Sequence, residues 1–208
     1  ILLAYLPVKN YLRQTPLKLT AWLLPLLLGI CILGGAVCCT LQIPTRWFLF
    51  PLLPIIMLIY HKTLKISVWK SVSIFLAVFA VFTCVKSLSR AVNALMTADL
   101  HITENELWFR TDAGIFYNLI CLLFVLTAWY PACHCVQTMV TDENFAQTWY
   151  VFWILPVIFI GVNLFMIPKY RNTLYTGRVL QCYIVFSLVL LILLLLFYVM
   201  FLMMGGNL

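Results

Sequence analysis

Charged residues are scarce in this sequence, at 9% of its 208 residues, whereas 65% are hydrophobic. A soluble domain carries about 25% charged residues, so this chain cannot cover its surface with polar groups. The scarcity excludes a soluble globular protein and predicts an integral membrane protein. At roughly 20 apolar residues per span plus short loops, the length accommodates about six to seven helices and leaves no room for a separate soluble domain.

The sequence also lacks the motifs of common enzymes. It has no phosphate-binding glycine loop, no zinc-protease helix motif and no serine nucleophile elbow. No catalytic residue and no cofactor is therefore assigned to it. The net charge of +7 comes from basic residues dispersed at helix ends, as in membrane-protein loops, so no nucleic-acid partner is indicated.

The cysteines do not form a recognisable framework or metal motif. They scatter through apolar stretches, where cysteine behaves as a small hydrophobe. Cys133, His134 and Cys135 are adjacent, and adjacent residues on a helix point about 100° apart. They cannot converge on one metal ion without unwinding, and a thiolate–imidazole pair would favour i, i+3 or i, i+4 spacing. We therefore predict a structural role for them, and no metal site.

The hydrophobic pattern predicts an all-α fold, a polytopic transmembrane bundle of about six to seven helices. Residues 1–208 are expected to form a single membrane-embedded domain, whose first helix is truncated because the sequence starts on "ILLAYLPV". The last segment holds no charge, proline or glycine between Ile184 and Met204. The predicted segments are Ile1–Val8, Leu19–Leu41, Trp47–Tyr60, Val68–Met96, Ala113–Val136, Trp149–Ile167 and a seventh starting near Leu174.

Glycine and proline predict local features within these segments. The pair Gly34-Gly35 would let a neighbouring helix approach closely. Pro51 and Pro54 free backbone carbonyls in the third segment, which predicts a kinked or partly irregular helix. Pro156 lies inside the sixth segment.

Orientation is predicted from Lys and Arg in the short connections. The first connection, "KNYLRQTPLK", and the third, "YHKTLKISVWK", are basic, whereas "ADLHITENELWFRTDAG" has four acidic residues against Arg110. This places the basic connections in the cytoplasm and the acidic loop outside. The second half disagrees, because its outer loop "PKYRNTLYTGR" is basic. The first half has the stronger bias, so the seventh helix is expected to exit into the cytoplasm.

Lys86 and Arg90 are the most unusual charges, because they lie i, i+4 on one face of the fourth segment. Lys86 is sixteen residues beyond Lys70, roughly 24 Å along a helix, near the outer edge of the bilayer core. Both could snorkel to the interface or pair with the acidic loop. They could also form, with Arg178, a cationic cradle for an extracellular ligand such as a peptide. His61 and His101 have no second ligand at metal spacing and are interpreted as interfacial residues.

Four phrases carry a family resemblance: "IYHKTL" (59–64), "WKSVSIFLAVFA" (69–80), "NLFMIPKY" (163–170) and "LYTGRVLQCYIVFSLVLLILLLLFYVMF" (174–201). Together they resemble the amino-terminal membrane sensor region of GHKL-type sensor histidine kinases from Gram-positive anaerobic bacteria. That group is related to the accessory-gene-regulator quorum-sensing kinases. In it the last membrane helix continues into a coiled coil with the phospho-acceptor histidine and then an ATP-binding domain.

The resemblance implies a sensor module in the bacterial cytoplasmic membrane that transmits an extracellular signal through its last helix. It implies a homodimer, a response regulator as a further partner, and ATP and Mg in a kinase domain beyond these 208 residues. None of His61, His101 or His134 matches the phospho-acceptor context. The alternative is a small transporter or permease subunit, which would need polar groups near the bilayer midplane and, typically, repeated halves, and neither is evident. A membrane cysteine peptidase is disfavoured by the Cys-His-Cys spacing.

Overall fold

The computed structural model is helical throughout the parts of the chain that it describes, which confirms the all-α prediction. Apart from short turns and connections, these residues also include an isolated antiparallel bridge between Leu12 and Leu64. The described residues are 2–41, 43, 45–96, 111–142, 146–166 and 179–206.

The helices follow the predicted hydrophobic segments, and the fourth matches at both ends. Two short helical turns, one 3₁₀ and one π, extend α1 and α5. The elements are α1 (Leu2–Tyr5) with the 3₁₀ turn Leu6–Tyr11, α2 (Pro16–Thr40), α3 (Thr45–Lys62), α4 (Val68–Met96), α5 (Thr111–Pro131) with the π turn Ala132–Val136, α6 (Gln137–Thr141), α7 (Ala146–Phe152), α8 (Ile154–Met166) and α9 (Val179–Gly206).

The sixth predicted segment was wrong as a single helix, because it is divided into α7 and α8 by a turn at Trp153. Pro156 explains the break: it has no N–H for the Phe152 carbonyl, and its ring would clash with that carbonyl. Helical bonding resumes where the Val157 N–H donates to the Trp153 carbonyl at 3.3 Å. A kinked or irregular helix was predicted at Pro51 and Pro54. These prolines do not break α3, which is helical from Thr45 to Lys62.

The close approach predicted at the glycine pair occurs at Gly34. This residue is buried, and a Cβ atom built on it would fall on the Phe48 ring of α3. Gly35, the next residue, is exposed and would have no atom within 4 Å of its Cβ. The missing side chain at Gly34 therefore lets α2 and α3 pack closely.

Replacing Gly34 by valine is expected to displace Phe48 and separate α2 from α3, at a cost of about 1–3 kcal/mol for overpacking. Thermal unfolding in mild detergent measures this. Gly35→Val adds the same atoms to the same helix on its open side, so it controls for the change in helix propensity. Equal unfolding midpoints for the two variants would contradict the packing role of Gly34.

The polarity of the fold is reversed relative to a soluble protein. The exposed side chains include many large apolar ones, such as Leu17, Ile32 and Phe50 at 82%, 69% and 72% exposure. Conversely, small polar residues are buried: Thr63, Ser71, Ser73, Ser87, Ser89, Asn163 and Ser187. An apolar surface of this extent marks contact with a membrane or a partner rather than with water.

Two described helices are long and apolar enough to cross a membrane, Pro16–Thr40 and Val68–Ser89, with mean hydropathies of 2.3 and 2.0. Only 11% of the first window is buried, against 50% of the second. Shorter apolar stretches are Trp47–Lys62, Asn118–Tyr130, Trp149–Asn163 and Tyr183–Leu196. By length and composition, the described chain thus has two candidate spans.

Helix α4 occupies the centre of the bundle. It contacts α3, α5, α7, α8 and α9, whereas α2 packs mainly on α3. Two apolar cores lie along α4. One, here the end core, comprises Ala4, Val8, Tyr60, Leu64, Ile74, Phe75, Met139, Val140, Trp149 and Phe152. The other, here the central core, comprises Leu76, Ala80, Val81, Cys84, Val85, Ile160, Leu190 and Leu194.

Candidate functional site

A buried polar contact joins α4 to α8 at the edge of the central core. The Ser87 hydroxyl donates to Asn163 Oδ1 at 2.9 Å. Asn163 Nδ2 donates to Cys84 Sγ at 3.1 Å and to the Phe159 carbonyl at 3.0 Å. The carboxamide thus uses both donor hydrogens and its acceptor oxygen inside the protein. Such contacts are expected where a polar side chain is removed from water.

The position of this contact follows from helix spacing. Cys84 and Ser87 are i, i+3 on α4, and Ile160 and Asn163 are i, i+3 on α8, so each pair shares one face. Cys84 and Ile160 belong to the central core. Ser87 is seventeen residues beyond Lys70, roughly 26 Å along the helix. The contact therefore lies in the second half of α4, within about two turns of the middle of the helix.

Helix α9 brings a third polar group to the same core. Ser187 precedes Leu190 by one turn and is 2% exposed. Its hydroxyl has no hydrogen-bond partner within the described residues. A buried hydroxyl without a partner costs about 1–3 kcal/mol, so this arrangement of α9 leaves a polar group unsatisfied.

The α4–α8 contact is testable by a double-mutant cycle on Ser87 and Asn163. Ser87→Ala removes the donor to Asn163 Oδ1, and Asn163→Leu removes the carboxamide. We expect a coupling of about 0.6 kcal/mol, the average measured between membrane helices, and no more than the maximum of about 1.7 kcal/mol. Equilibrium unfolding by sodium dodecyl sulfate titration measures it. Thr127→Val is the control, because the Thr127 hydroxyl bonds only to carbonyls of its own helix in the structure. Zero coupling would contradict the contact.

At the opposite end of α4, the residues before α2 are bonded to the connection between α3 and α4. The Arg13 N–H donates to the Thr63 carbonyl at 2.9 Å, and the Lys65 N–H donates to the Tyr11 carbonyl at 2.7 Å. These bonds flank the Leu12–Leu64 bridge. We call the two segments, residues 9–14 and 61–67, the bridged end.

Side chains reinforce the bridged end. Arg13 Nε donates to the Leu64 carbonyl at 2.8 Å, and the Tyr60 hydroxyl donates to the Ala4 carbonyl at 2.7 Å. The hydroxyls of Tyr5 and Thr63 are 2.9 Å apart. The structure therefore places the first and third connections of the chain, both basic, at one end of the bundle.

Helices α6 and α7 reach the same end. Lys70 Nζ donates to the Val140 carbonyl at 2.7 Å, and the Ser73 hydroxyl donates to the Trp149 carbonyl at 3.1 Å. Val140 and Trp149 are buried in the end core. The Trp149 carbonyl thus connects α7 to the base of α4, while its indole is buried in the end core.

His61, interpreted as an interfacial residue, has a definite partner. Its Nδ1 lies 2.8 Å from the Ser71 hydroxyl, which itself donates to the Val68 carbonyl at 2.9 Å. Which of the two atoms donates in the His61–Ser71 contact depends on the imidazole tautomer. His61 therefore links the end of α3 to the start of α4.

The structure describes only part of the predicted cationic cradle. Lys86 is half-buried on α4 and has a contact of its own. The side chain of Arg90 lies outside the described residues, as do Arg178 and His101. The cradle stays a prediction.

The Cys-His-Cys sequence lies in the π-helical turn that follows α5. His134 stacks on Tyr130, with ring centroids 4.3 Å apart and 20° between planes. Its Nδ1 is 3.2 Å from the Tyr130 carbonyl. The described residues contain no group of three or more His, Cys, Asp or Glu that could hold a metal ion. A π turn is frequent at functional sites, and this one holds the stack of His134 on Tyr130.

Comparison with protein-family models, curated proteins and solved structures found no match. The functional inference therefore depends on the residues themselves. Sequence reasoning assigned no role to Ser87, Asn163 or Ser187. The signal was present: Asn163 is the polar residue in the otherwise apolar run "IFIGVNLFMI", and a polar side chain in such a helix needs a buried partner.

Proposed function

We propose that this chain is the membrane-embedded sensor module of a two-component histidine kinase. In this proposal an extracellular signal, such as a peptide, reaches the outer ends of α4 and α8. Helix α9 then carries the change to a cytoplasmic kinase domain that follows it. The observation that carries the proposal is the packing of α9 on α4 and α8 around the central core, beside a polar contact that joins those two helices.

Six to seven membrane crossings fit the elements. An apolar stretch is present in each of α2, α3, α4, α5, α7 with α8, and α9. At 1.5 Å per residue, the 18 residues of α3 extend about 27 Å, close to the thickness of a bilayer core. The bridged end, which carries the basic connections, is then the cytoplasmic end.

The central core offers a two-state element for signalling. Leu190 and Leu194 hold α9 against α4 and α8. Ser187, on the same face, has no hydrogen-bond partner among the described residues. A second arrangement, in which α9 rotates until this hydroxyl is bonded, would offset the cost of burying it. Interfaces of this kind switch between discrete packings rather than deforming continuously.

The test uses the complete reading frame that contains this chain, expressed in membrane vesicles with labelled ATP and Mg. We expect phosphorylation of a histidine downstream of Leu208. Inserting one alanine after Leu196 turns the following part of α9 by about 100° relative to the part packed in the central core. We expect this insertion to change phosphorylation severalfold.

Leu196→Ala is the matched control, because Leu196 is 55% exposed and its replacement adds no rotation. Absence of phosphorylation in the unmodified product would contradict the kinase assignment, and solute uptake by the same vesicles would favour the transporter alternative. Phosphorylation that is unchanged by the insertion would contradict the role of α9.

A further inference from the structure

The bridged end presents exposed cations from both of its segments. Lys9 and Arg13 come from the first segment, and Lys62 and Lys65 from the second; all four are exposed. The backbone bonds Arg13 N–H to Thr63 O and Lys65 N–H to Tyr11 O hold the two segments side by side. The cations are therefore collected on one small surface by the fold, although the two segments are about 50 residues apart.

No acidic residue lies near these cations in the sequence. The first acidic residue of the chain is Asp99, so α1 to α4 contain no carboxylate. Asp142, after α6, is the acidic residue that the structure describes near this end, and it has a contact of its own. The side chain of Arg13 is oriented by its Nε bond to the Leu64 carbonyl but remains exposed. A guanidinium held in this way suits a phosphate oxygen pair.

Aromatic side chains indicate the depth of this surface in a bilayer. Trp22, 40% exposed, donates its indole N–H to Gln14 Oε1 at 3.0 Å, next to Arg13. Trp69, 44% exposed, packs edge-on against Tyr150 with centroids 4.9 Å apart, next to Lys70. Exposed Trp and Tyr concentrate at the headgroup level of membranes. The bridged end therefore lies where lipid phosphates are.

We propose that the bridged end is a binding site for the headgroup of an anionic phospholipid. Arg13, Lys62 and Lys65 contact the phosphate, and Lys9 adds to the positive potential. This site goes beyond the proposed sensor function and depends on the membrane location alone. A bound headgroup would join the segment before α2 to the α3–α4 connection in addition to their backbone bonds.

Titration of the full chain in mild detergent with short-chain phosphatidylglycerol, followed by native mass spectrometry, measures the dissociation constant. Removing one cation next to an anionic lipid is expected to weaken binding about fivefold, so Lys62→Gln with Lys65→Gln should weaken it about 25-fold. Both side chains are exposed, so the fold should persist, and the unfolding midpoint checks this.

Lys18→Gln is the matched control for Lys65→Gln, because it removes the same charge from an exposed residue nearby but outside the bridged end. We expect less than a twofold change. An equal loss in Lys18→Gln and Lys65→Gln would show a diffuse charge effect and overturn the site. So would equal binding of phosphatidylcholine, or displacement of phosphatidylglycerol by millimolar inorganic phosphate, which would identify a free anion as the ligand.

Discussion

Replacing Trp149 by alanine is expected to lower the free energy of unfolding by about 3–5 kcal/mol, the cost of removing a large side chain from a packed core. Trp149 is 1% exposed and lies in the end core, in edge-on contact with Phe152 at 5.8 Å between centroids. Its backbone carbonyl also accepts the Ser73 hydroxyl of α4. The cavity would open where α7, the base of α4 and the bridged end meet.

Trp47→Ala is the control for this prediction, since it deletes the same atoms from a residue that is 67% exposed. Unfolding by sodium dodecyl sulfate titration in mild detergent compares the two variants. We expect the Trp47 variant to stay within about 0.5 kcal/mol of the unmodified chain, as surface substitutions usually do. A Trp149 variant as stable as the Trp47 variant would show that the end core is not packed as described.

Replacing Leu194 by alanine is expected to cost about 2–5 kcal/mol, because this side chain is 0% exposed in the central core. It lies one turn after Leu190 on α9, and the two residues hold the helix on α4 and α8. If α9 transmits the signal, the same substitution loosens that packing and should also change phosphorylation in the complete protein.

The neighbouring residue Leu193 provides the control, because it is 52% exposed on the other side of the same helix turn. Leu193→Ala changes hydrophobicity and helix propensity equally but opens no cavity. Similar unfolding midpoints for the Leu193 and Leu194 variants would contradict the placement of α9. A Leu194 variant that is unstable yet retains normal phosphorylation would separate packing from signalling.

The sequence was sufficient to predict the approximate positions of α2 to α5, because a chain this apolar has few places where a helix can end, but it did not predict the division into α7 and α8. Val68–Met96 was predicted at both ends, and the Gly34-Gly35 pair indicated a close helix approach. Which of the two glycines faces the neighbour was not predictable, since the hydrophobic pattern of α2 is apolar on all sides. Only the position of Phe48 decides it.

The candidate site was less predictable, and the reason is physical. Cationic residues are conspicuous in an apolar sequence, so Lys86 and Arg90 were the residues predicted to form a site. The Ser87–Asn163 contact depends on two helices separated by 76 residues, and a serine in a helix usually bonds to its own backbone. Whether two residues so far apart in the sequence pair with each other is decided by how their helices pack, not by the local sequence. The break before Pro156 was equally unpredictable. At such a proline a helix can either end near the carbonyl that loses its N–H donor, here that of Phe152, or continue past it.

The bridged end was also only partly predictable from the sequence. Both basic connections were predicted to lie on one side of the membrane from charge alone, and the structure places them at one end of the bundle. Charge could not predict that they bond to each other, because backbone pairing at Leu12 and Leu64 leaves no pattern in side-chain polarity.

We propose a multi-pass membrane module whose bridged end faces the cytoplasm, with α9 leaving on that same side. Labelling of cysteine variants with a membrane-impermeant maleimide tests it most directly, with the unmodified chain as background. We predict that Lys65→Cys and a cysteine added after Leu208 are labelled only in permeabilised cells, and that Glu104→Cys is labelled in intact cells. Labelling of Lys65→Cys in intact cells, or labelling of Glu104→Cys only after permeabilisation, would contradict the account.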